Sequence, residues 1–548
     1  MSSSSPPTSG SRSDDRSYAA AVTLLNTLQT NAATLDQVRK AYKPGDPNRY
    51  ALPEMIDFVH RTGHQCDDLN RLGLIHITGT KGKGSTGAFV ERMLRSVGEF
   101  PATGQRIKTG LYTSPHLMEV RERIRVDGKP LDRDLFAKYF FEVWDRLSAT
   151  EAEAVKQGQL AKPNYFRFLT CLAFHVFLRE NTNATILEVG IGGMYDSTNV
   201  ITRPVVTGIA SLGYDHVSIL GNTLAQIGRQ KAGIMKRGVP CVTIPQPAEG
   251  MQALVEYAAE IGAKELTLAA PLPQSDEDEQ GIELGLKGAH QRLNAALAVG
   301  LVHEVLGVRV DARTVAEATE SFASLVPKYL AQGTNPHLLL ADPVADTKTH
   351  AEESAPYTFP VTQRLTGPLA PALVEGLATT TWPGRAQTIT RGPVTFFADG
   401  AHTVESLRAC AHWFTSTIKP AGGQQKQQQQ QQQHLIFNLT HARDPRAMLR
   451  PLAGYSWASV TFTSNEPGIG GSRGGDTANY NEHKDDELKA QRAMRDAWVD
   501  MTGMHAEKVH VVRTVSEAVE GVAEGNVLVT GSLYLVGALL EVLGVSVD

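Results

Sequence analysis

Cysteine is scarce. The 548 residues hold four, Cys66, Cys171, Cys241 and Cys410, far apart and without a C-x-x-C pair. That excludes a cysteine zinc site and a disulfide-stapled scaffold, fits a reducing compartment, and leaves buried apolar thiols as the plain reading. Positive charge is not in excess either: 53 Lys and Arg against 58 Asp and Glu leave a net charge of −5. No overall basic field gathers nucleic acid or an anionic membrane, so an anionic substrate must be held by local cations. Long hydrophobic runs are also missing. The longest, Val527 to Val547, is interrupted by Glu541 and by Gly and Ser, and reads as strand, turn and amphipathic helix rather than a membrane span. The opening MSSSSPPTSGSRSDDR has no apolar segment, against a secretory signal, and its Asp14 and Asp15 weaken a mitochondrial transit reading. What is present, 41% hydrophobic and 20% charged residues, is globular in kind, and the length predicts two or three domains rather than one core.

The rest of the chain is arranged around His76-Ile77-Thr78-Gly79-Thr80-Lys81-Gly82-Lys83-Gly84-Ser85-Thr86. The apolar run Leu72 to Ile77, broken only by Gly73, predicts a buried strand. After the turn, Ala88, Phe89, Met93, Leu94 and Val97 recur on one helical face. Strand, glycine turn and helix in that order form a phosphate cradle: backbone N–H groups approach the anion, the helix N-terminus adds partial positive charge, and Lys83 adds a full one. Gly82, Lys83, Gly84 and Ser85 are thus the candidate phosphate-binding residues. A plain strand-to-helix turn is the alternative, but three glycines alternating with two lysines is a costly way to build one. The loop departs from G-x-x-x-x-G-K-[ST]. It is shorter, and Gly84 stands where a metal-binding hydroxyl usually follows the lysine, so that hydroxyl is expected from elsewhere.

Taken in order, residues 1–17 read as a disordered tail, Tyr18 to Asn31 as an amphipathic helix, and Met55 to His60 as the start of another. Gly110 to Leu117 is a strand stopped by Pro115, leaving Ser114 at its carboxyl end, where ligands of open parallel sheets bind. Ser114 bonding its own turn is the simpler alternative. The arginines of Val120 to Ile124 read as a solvated face. Asn164 to Arg179 is a long apolar-faced helix in which His175 is a core or helix-surface histidine. Ala184 to Gly193 is a buried strand ending in Glu188, a carboxylate expensive to bury unless a metal or another cation answers it. Val205 to Gly213 is a further strand, followed by Tyr214-Asp215-His216. A lone histidine is usually structural, but His216 shares the strand-end position of Ser114 and Glu188, which makes it a metal-ligand candidate oriented by Asp215. Thr223 to Met235 is a helix carrying Lys231. Gly285 to Leu306 is a glycine turn into a helix whose Gln291 and Asn294 amides suit an adenine edge, with helix capping as the rival role.

Residues 331–362 are polar and aperiodic and read as a surface insertion. Thr381-Trp382-Pro383-Gly384-Arg385 closes the first domain, and alternating strands and helices begin again. The fold expected is α/β: a P-loop domain over 18–383 and a smaller Rossmann-like α/β domain over 384–548, with loop insertions near 421–434, the glutamine tract, and 468–486.

GTKGKGST, then LYTSPHL and VRERI, then EVGIGG, then LGYDHVSILGNT and QKAGI resemble the folylpolyglutamate synthases of the Mur ligase superfamily. The likeness runs from about Tyr50 to the C-terminus and looks closest to the eukaryotic branch. It implies a Mur-ligase-like central ATPase domain and the following roles. Ser114, Glu188 and His216 ligate Mg²⁺, two ions in all. Lys231 is carbamylated in Mur-type ligases, although a phosphate-binding or surface lysine fits the sequence as well. Asn294 sits at adenine. Arg385 and Asp399 serve ATP, and His402, in Asp399-Gly400-Ala401-His402, meets the incoming amino acid or the acyl phosphate. Thr113, Pro115, His116 and Arg121 lie near the folate site, and Ser532 is a lesser candidate on the second lobe. Lys83, His402 and Lys231 are the catalytic candidates.

The activity implied is ATP-dependent addition of L-glutamate to the γ-carboxylate of a folate through an acyl phosphate. A carboxylate is a poor electrophile, and phosphorylation activates it. The cofactors implied are ATP, Mg²⁺ and a monovalent cation such as K⁺. The partners are small molecules only, with no nucleic acid. The protein is expected as a monomer, cytoplasmic and also mitochondrial, at most peripheral to a membrane. The rivals are a dihydrofolate synthase, with the same chemistry on dihydropteroate, and a nucleotide-binding protein that ligates nothing.

Overall fold

The computed structural model describes residues 15–29, 50–269, 272, 282–307, 312–314, 361–364, 369–418, 432–439, 444–468 and 488–546. Within them, two parallel-rich sheets account for the strands. The first runs β4-β3-β2-β5-β1-β6-β7-β8-β10-β9, with β1 Leu74–Thr78, β2 Thr109–Tyr112, β3 Ile124–Val126, β4 Lys129–Pro130, β5 Ala184–Glu188, β6 Val206–Ile209, β7 Pro240–Thr243, β8 Glu265–Ala269, β9 Ala312–Thr314 and β10 Val361–Arg364. The second runs β11-β12-β16-β13-β14-β15, with β11 Gln387–Arg391, β12 Val394–Ala398, β13 Gln433–Phe437, β14 Ser459–Phe462, β15 Val509–Val511 and β16 Gly525–Thr530. This is the α/β class that the alternation of strand and helix patterns predicts.

β1, β2, β5 and β6 are buried at every position, as parallel strands covered by helices on both faces must be. Their register decides where function can sit. Ile77 pairs with Glu188, Thr78 with Ile209, and Tyr112 with Leu187. Four strands therefore end at one level, and the phosphate loop, Thr113–Pro115, Glu188 and Ala210–His216 leave the sheet side by side. On one face, the helices Arg133–Ala149 and Tyr165–Glu180 bury an aromatic cluster in which Phe140 lies 5.0 Å from Phe168 and stacks on Trp144 at 5.5 Å. On the other, the helix Lys83–Val97 packs against Gln291–Leu306 and Pro371–Thr379.

Leu117, in the loop after β2, is 6% exposed and belongs to the hydrophobic core of the second lobe, beside Leu535, Val536 and Leu539. A Cβ on Gly537 would meet the Leu117 carbonyl at 2.2 Å, so the helix Leu533–Val542 rests directly on that backbone.

Several expectations need correction. Val120–Arg123 is a buried 3₁₀ turn and not a solvated face, because Arg121, Glu122 and Arg123 each find partners inside the fold. The first helix stops at Asn26. The last residues of the expected tail are structured: Ser17 caps that helix, accepting the Ala20 N–H at 3.2 Å, and Arg16 pairs with Asp145 at 2.8 Å. Gln433, the end of the glutamine tract, opens β13. The tract up to residue 431, nearly all of 331–362 and 469–486 lie outside the described residues.

Phe140→Ala should lower unfolding free energy by about 3–5 kcal/mol, the usual cost of removing a fully packed ring, read as the shift of a urea midpoint at unchanged m.

Candidate functional site

The phosphate loop needs glycine for two distinct reasons. Gly82 has φ +88° and heads the helix Lys83–Val97, and a Cβ there would stand 2.2 Å from Asn294 Oδ1. Gly79 passes so close to β6 that a Cβ would meet the Ala210 Cβ at 2.8 Å. The loop is tied to the segment after β6: Thr80 N–H donates to Ser211 O at 2.8 Å, and Thr80 Oγ1 donates to Gly213 O at 3.0 Å.

Lysines crowd this turn. Lys83 Nζ and Lys231 Nζ both donate to the Gly79 carbonyl, at 3.1 and 2.9 Å. Lys231 is buried, and that burial, with Lys83 adding to it, brings its ammonium down to about 7. Lys81 Nζ lies 3.2 Å from Asp215 Oδ2. Burial opposes ionisation of Asp215, but Lys81 and His216 together outweigh it and the carboxyl falls to about 2.

Glu188 closes the cluster. It is 6% exposed at the end of β5, and burial pushes its carboxyl upward against the pull of Lys83. Its Oε2 accepts the Ser114 N–H at 3.1 Å, and the same oxygen lies 3.5 Å from where a Cβ on Gly84 would be. Glu188, Ser114 and the phosphate loop thus meet. His216 joins them electrostatically: burial lowers its pKa, and Lys83, Lys231 and Lys81 lower it further. Its ring stays half exposed, and Asp215 Oδ1 receives the His216 backbone N–H at 3.0 Å, while the ring Nε2 is 4.0 Å from that oxygen. Asp215 therefore orients the His216 backbone and Lys81 more than the imidazole.

Among the described residues no three His, Cys, Asp or Glu side chains gather as a metal cage. A buried carboxylate beside a serine, with water completing the shell, instead suits a hard divalent cation such as Mg²⁺. The raised, cation-seeking Glu188 fits that group.

A cleft lies in front of this cluster, lined by Gly84, Thr113, Ser114, Pro115, Leu117, Glu122, Arg125, Glu188, Trp382, Pro383, Arg385 and Leu533. It brings Thr113, Ser114, Pro115, Glu188 and Arg385 together as the strand-end argument expects. It does not include His116 or Arg121. His116 Nδ1 accepts from Arg123 Nε at 2.9 Å, and Arg121 donates to Leu131 O at 2.9 Å and pairs with Glu119, so both turn into the fold. The cation that the segment does present is Arg125, 5.1 Å over the Trp382 ring. Glu122 accepts the N–H groups of Leu117, Met118 and Glu119 and so shapes the loop after Ser114. Arg125, Trp382 and Glu122 escape a sequence reading; the one available signal is that VRERIRV alternates, which puts Arg123 and Arg125 on the same face.

On the second lobe, Asp399 accepts Ala386 N–H at 2.8 Å and Ala401 N–H at 2.9 Å, fixing the turn that carries Arg385 and His402. His402 Nε2 stands 3.4 Å from Lys81 Nζ, across the two lobes. Ser532 is buried and caps its helix through Tyr534 N–H at 3.2 Å. Asn294 donates to Gln291 Oε1 at 2.9 Å and Gln291 to Ser85 Oγ at 3.4 Å, so these amides engage each other and the phosphate loop.

One further network fixes the loop that follows Glu188. Asp196 accepts the N–H groups of Gly190 and Ile191 and the Thr198 hydroxyl, and Asn199 bridges Met194 O and Gly233 O, beside Lys231.

The chain is similar to known proteins along most of its length. Residues 384–542 match the family described as dihydrofolate synthetase, C-terminal domain. The mitochondrial folylpolyglutamate synthase of Homo sapiens is 42% identical over 468 residues, 84% of this chain and 70% of the relative. The folylpolyglutamate synthase of Saccharomyces cerevisiae (strain AWRI796) is 36% identical over 546 residues, 96% of this chain and 87% of the relative. Among solved structures, a Mycobacterium tuberculosis folylpolyglutamate synthase complexed with ADP has a TM-score of 0.65 at 21% identity, covering 96% of this chain and 99% of its own. An FPGS–AMPPCP–folate complex has a TM-score of 0.59 at 22% identity, with the same coverage.

Lys231 yields a pH test with a definite sign. Its folded pKa of about 7 lies below the ordinary lysine value of 10.5. Between these limits the unfolded chain binds more protons, so this group makes stability rise with pH across that window. In urea titrations from pH 7 to 10 in CO₂-free buffer, Lys231→Met should flatten that rise.

Proposed function

The chain belongs to the folylpolyglutamate synthases, ATP-dependent ligases, and we propose that its cleft joins L-glutamate to the terminal γ-carboxylate of tetrahydrofolate and its polyglutamates. The observation that carries the site assignment is the convergence of the phosphate loop, Ser114 and Glu188 at one end of four adjacent strands, facing a second lobe that offers Arg385 and His402.

The chemistry follows from that placement. ATP enters with its phosphates on Gly82, Lys83, Gly84 and Ser85. The γ-phosphoryl group passes to the folate carboxylate, forming an acyl phosphate and ADP. The glutamate amine then attacks the acyl carbon, the amide forms, and phosphate leaves. Lys83 and the loop amides stabilise charge on the group in transit. Ser114, Glu188 and His216 would hold Mg²⁺, two ions in all, which when bound neutralise phosphate charge; a monovalent cation such as K⁺ adds to the same balance. Lys231, with an ammonium brought near neutrality, is reactive enough toward CO₂ to become a carbamate ligand. Arg385 and Asp399 serve ATP, directly and through the turn, and Asn294 borders the nucleotide. His402 faces the incoming amine, and Ser532, Thr113 and Pro115 border the substrates. Closure of the second lobe excludes water that would hydrolyse the acyl phosphate.

The boundary proposed between the lobes is 383/384, where the first sheet has ended and the second has not begun. A monomer is proposed, in the cytoplasm and in mitochondria; three mammalian relatives carry the word mitochondrial in their names. No helix among the described residues is long and apolar enough to cross a membrane. A second reading, ligation of glutamate to dihydropteroate, is favoured by one observation, the match of residues 384–542 to the dihydrofolate synthetase C-terminal family.

ADP release that requires both tetrahydrofolate and glutamate is the expected result, and release supported by dihydropteroate in place of tetrahydrofolate selects the second reading. Lys83→Ala and Glu188→Ala should each lower ligation by a factor on the order of 100 or more, with unchanged circular dichroism. Near-normal turnover in either would refute the site.

A further inference from the structure

The phosphate loop holds two lysines, and the phosphate role above uses only Lys83. Lys81 does something different. Its Nζ is 3.2 Å from Asp215 Oδ2, on the loop after β6, and 3.4 Å from His402 Nε2, on the other lobe. The backbone around it leaves little slack: Lys81 N–H and Thr80 N–H both donate to Ser211 O, at 3.3 and 2.8 Å. At the far end, His402 Nδ1 lies 2.9 Å from Gly400 O. A carbonyl can only accept, so Nδ1 carries the proton and the neutral ring presents a lone pair on Nε2 toward Lys81. The His402 backbone is pinned as well, its N–H donating to Ser406 Oγ at 3.1 Å.

We propose that Lys81 is a positioning residue for the amine half of the reaction: anchored by Asp215, it holds the His402 ring in the Nδ1–H tautomer with Nε2 turned to the phosphate loop. The proposal rests on the reading that His402 faces the incoming amino acid and that Lys83 serves the phosphates. It divides the two lysines of one loop between two substrates. Lys83 turns back to Gly79 and the nucleotide, while Lys81 reaches forward to the lobe that delivers glutamate. The lobes are thereby linked at the point where the acyl phosphate must be attacked, by a contact that a merely phosphate-binding lysine would not need.

Steady-state kinetics on the full chain test this, with glutamate and ATP varied separately in Lys81→Met, Lys81→Arg and Lys83→Ala. Losing one charge-assisted hydrogen bond should lower kcat/KM for glutamate on the order of tenfold or more in Lys81→Met, while KM for ATP moves by no more than about threefold. Lys81→Arg, which keeps the charge, should recover part of the loss. The proposal falls if Lys81→Met leaves kcat/KM for glutamate unchanged, or if it weakens ATP and glutamate use by equal factors. If Lys83→Ala keeps wild-type turnover, the phosphate-loop reading itself falls and carries this one with it. A dead Lys83→Ala beside a glutamate-indifferent Lys81→Met overturns the Lys81 role alone.

Discussion

A carboxylate largely removed from water has to be answered by positive charge, and Glu188 is such a group. It ends a strand buried at every position, and its main nearby answer is Lys83. That requirement organises the first lobe. Lys83 and Lys231 converge on one carbonyl of the phosphate loop, Asp215 offsets Lys81, and Asp196 holds the loop that leaves Glu188. The surplus of lysine around a single turn makes sense only if more negative charge arrives. A nucleoside triphosphate brings it, and Lys83 is then matched.

Among the contacts that join the second lobe to this cluster in the described residues, two differ in kind. One is polar, Lys81 to His402, and falls where substrates must meet. The other is apolar, the insertion of Leu117 into the hydrophobic core beneath the helix Leu533–Val542. Between them runs the loop with Thr113, Ser114 and Pro115, kept in shape by the three N–H groups on Glu122. The residues that line the cleft are therefore set by both lobes at once, which suits a reaction in which phosphoryl transfer and amine attack must happen in one closed space.

Much of this was legible in the chain itself because strand ends are legible. Ser114 and Glu188 each follow an apolar run, and parallel pairing then forces their neighbourhood, as the Tyr112–Leu187 register and the Ser114 N–H on Glu188 show. The phosphate loop declared itself through glycine and lysine alternation. What escaped depends on long-range packing that no local pattern encodes. VRERI reads as surface because arginine and glutamate usually are, yet Arg123 finds His116 and Glu122 finds three backbone donors. Trp382 looked like punctuation before the second lobe, and only the folded chain brings Arg125 over its ring. Gln291 and Asn294 suggested an adenine edge on chemistry alone, while their hydrogen bonds run to each other and to Ser85.

The burial of Leu117 in a core that is not its own has a practical corollary. Severing the polypeptide at Pro383 would leave the carboxyl-terminal fragment with an open, greasy socket beside Val536 and Leu539, and the amino-terminal fragment with a bare leucine next to its serine. Neither piece is a self-sufficient module in the way that two sheets suggest, and shuffling such halves between related enzymes would have to carry the 113–119 loop along with its host.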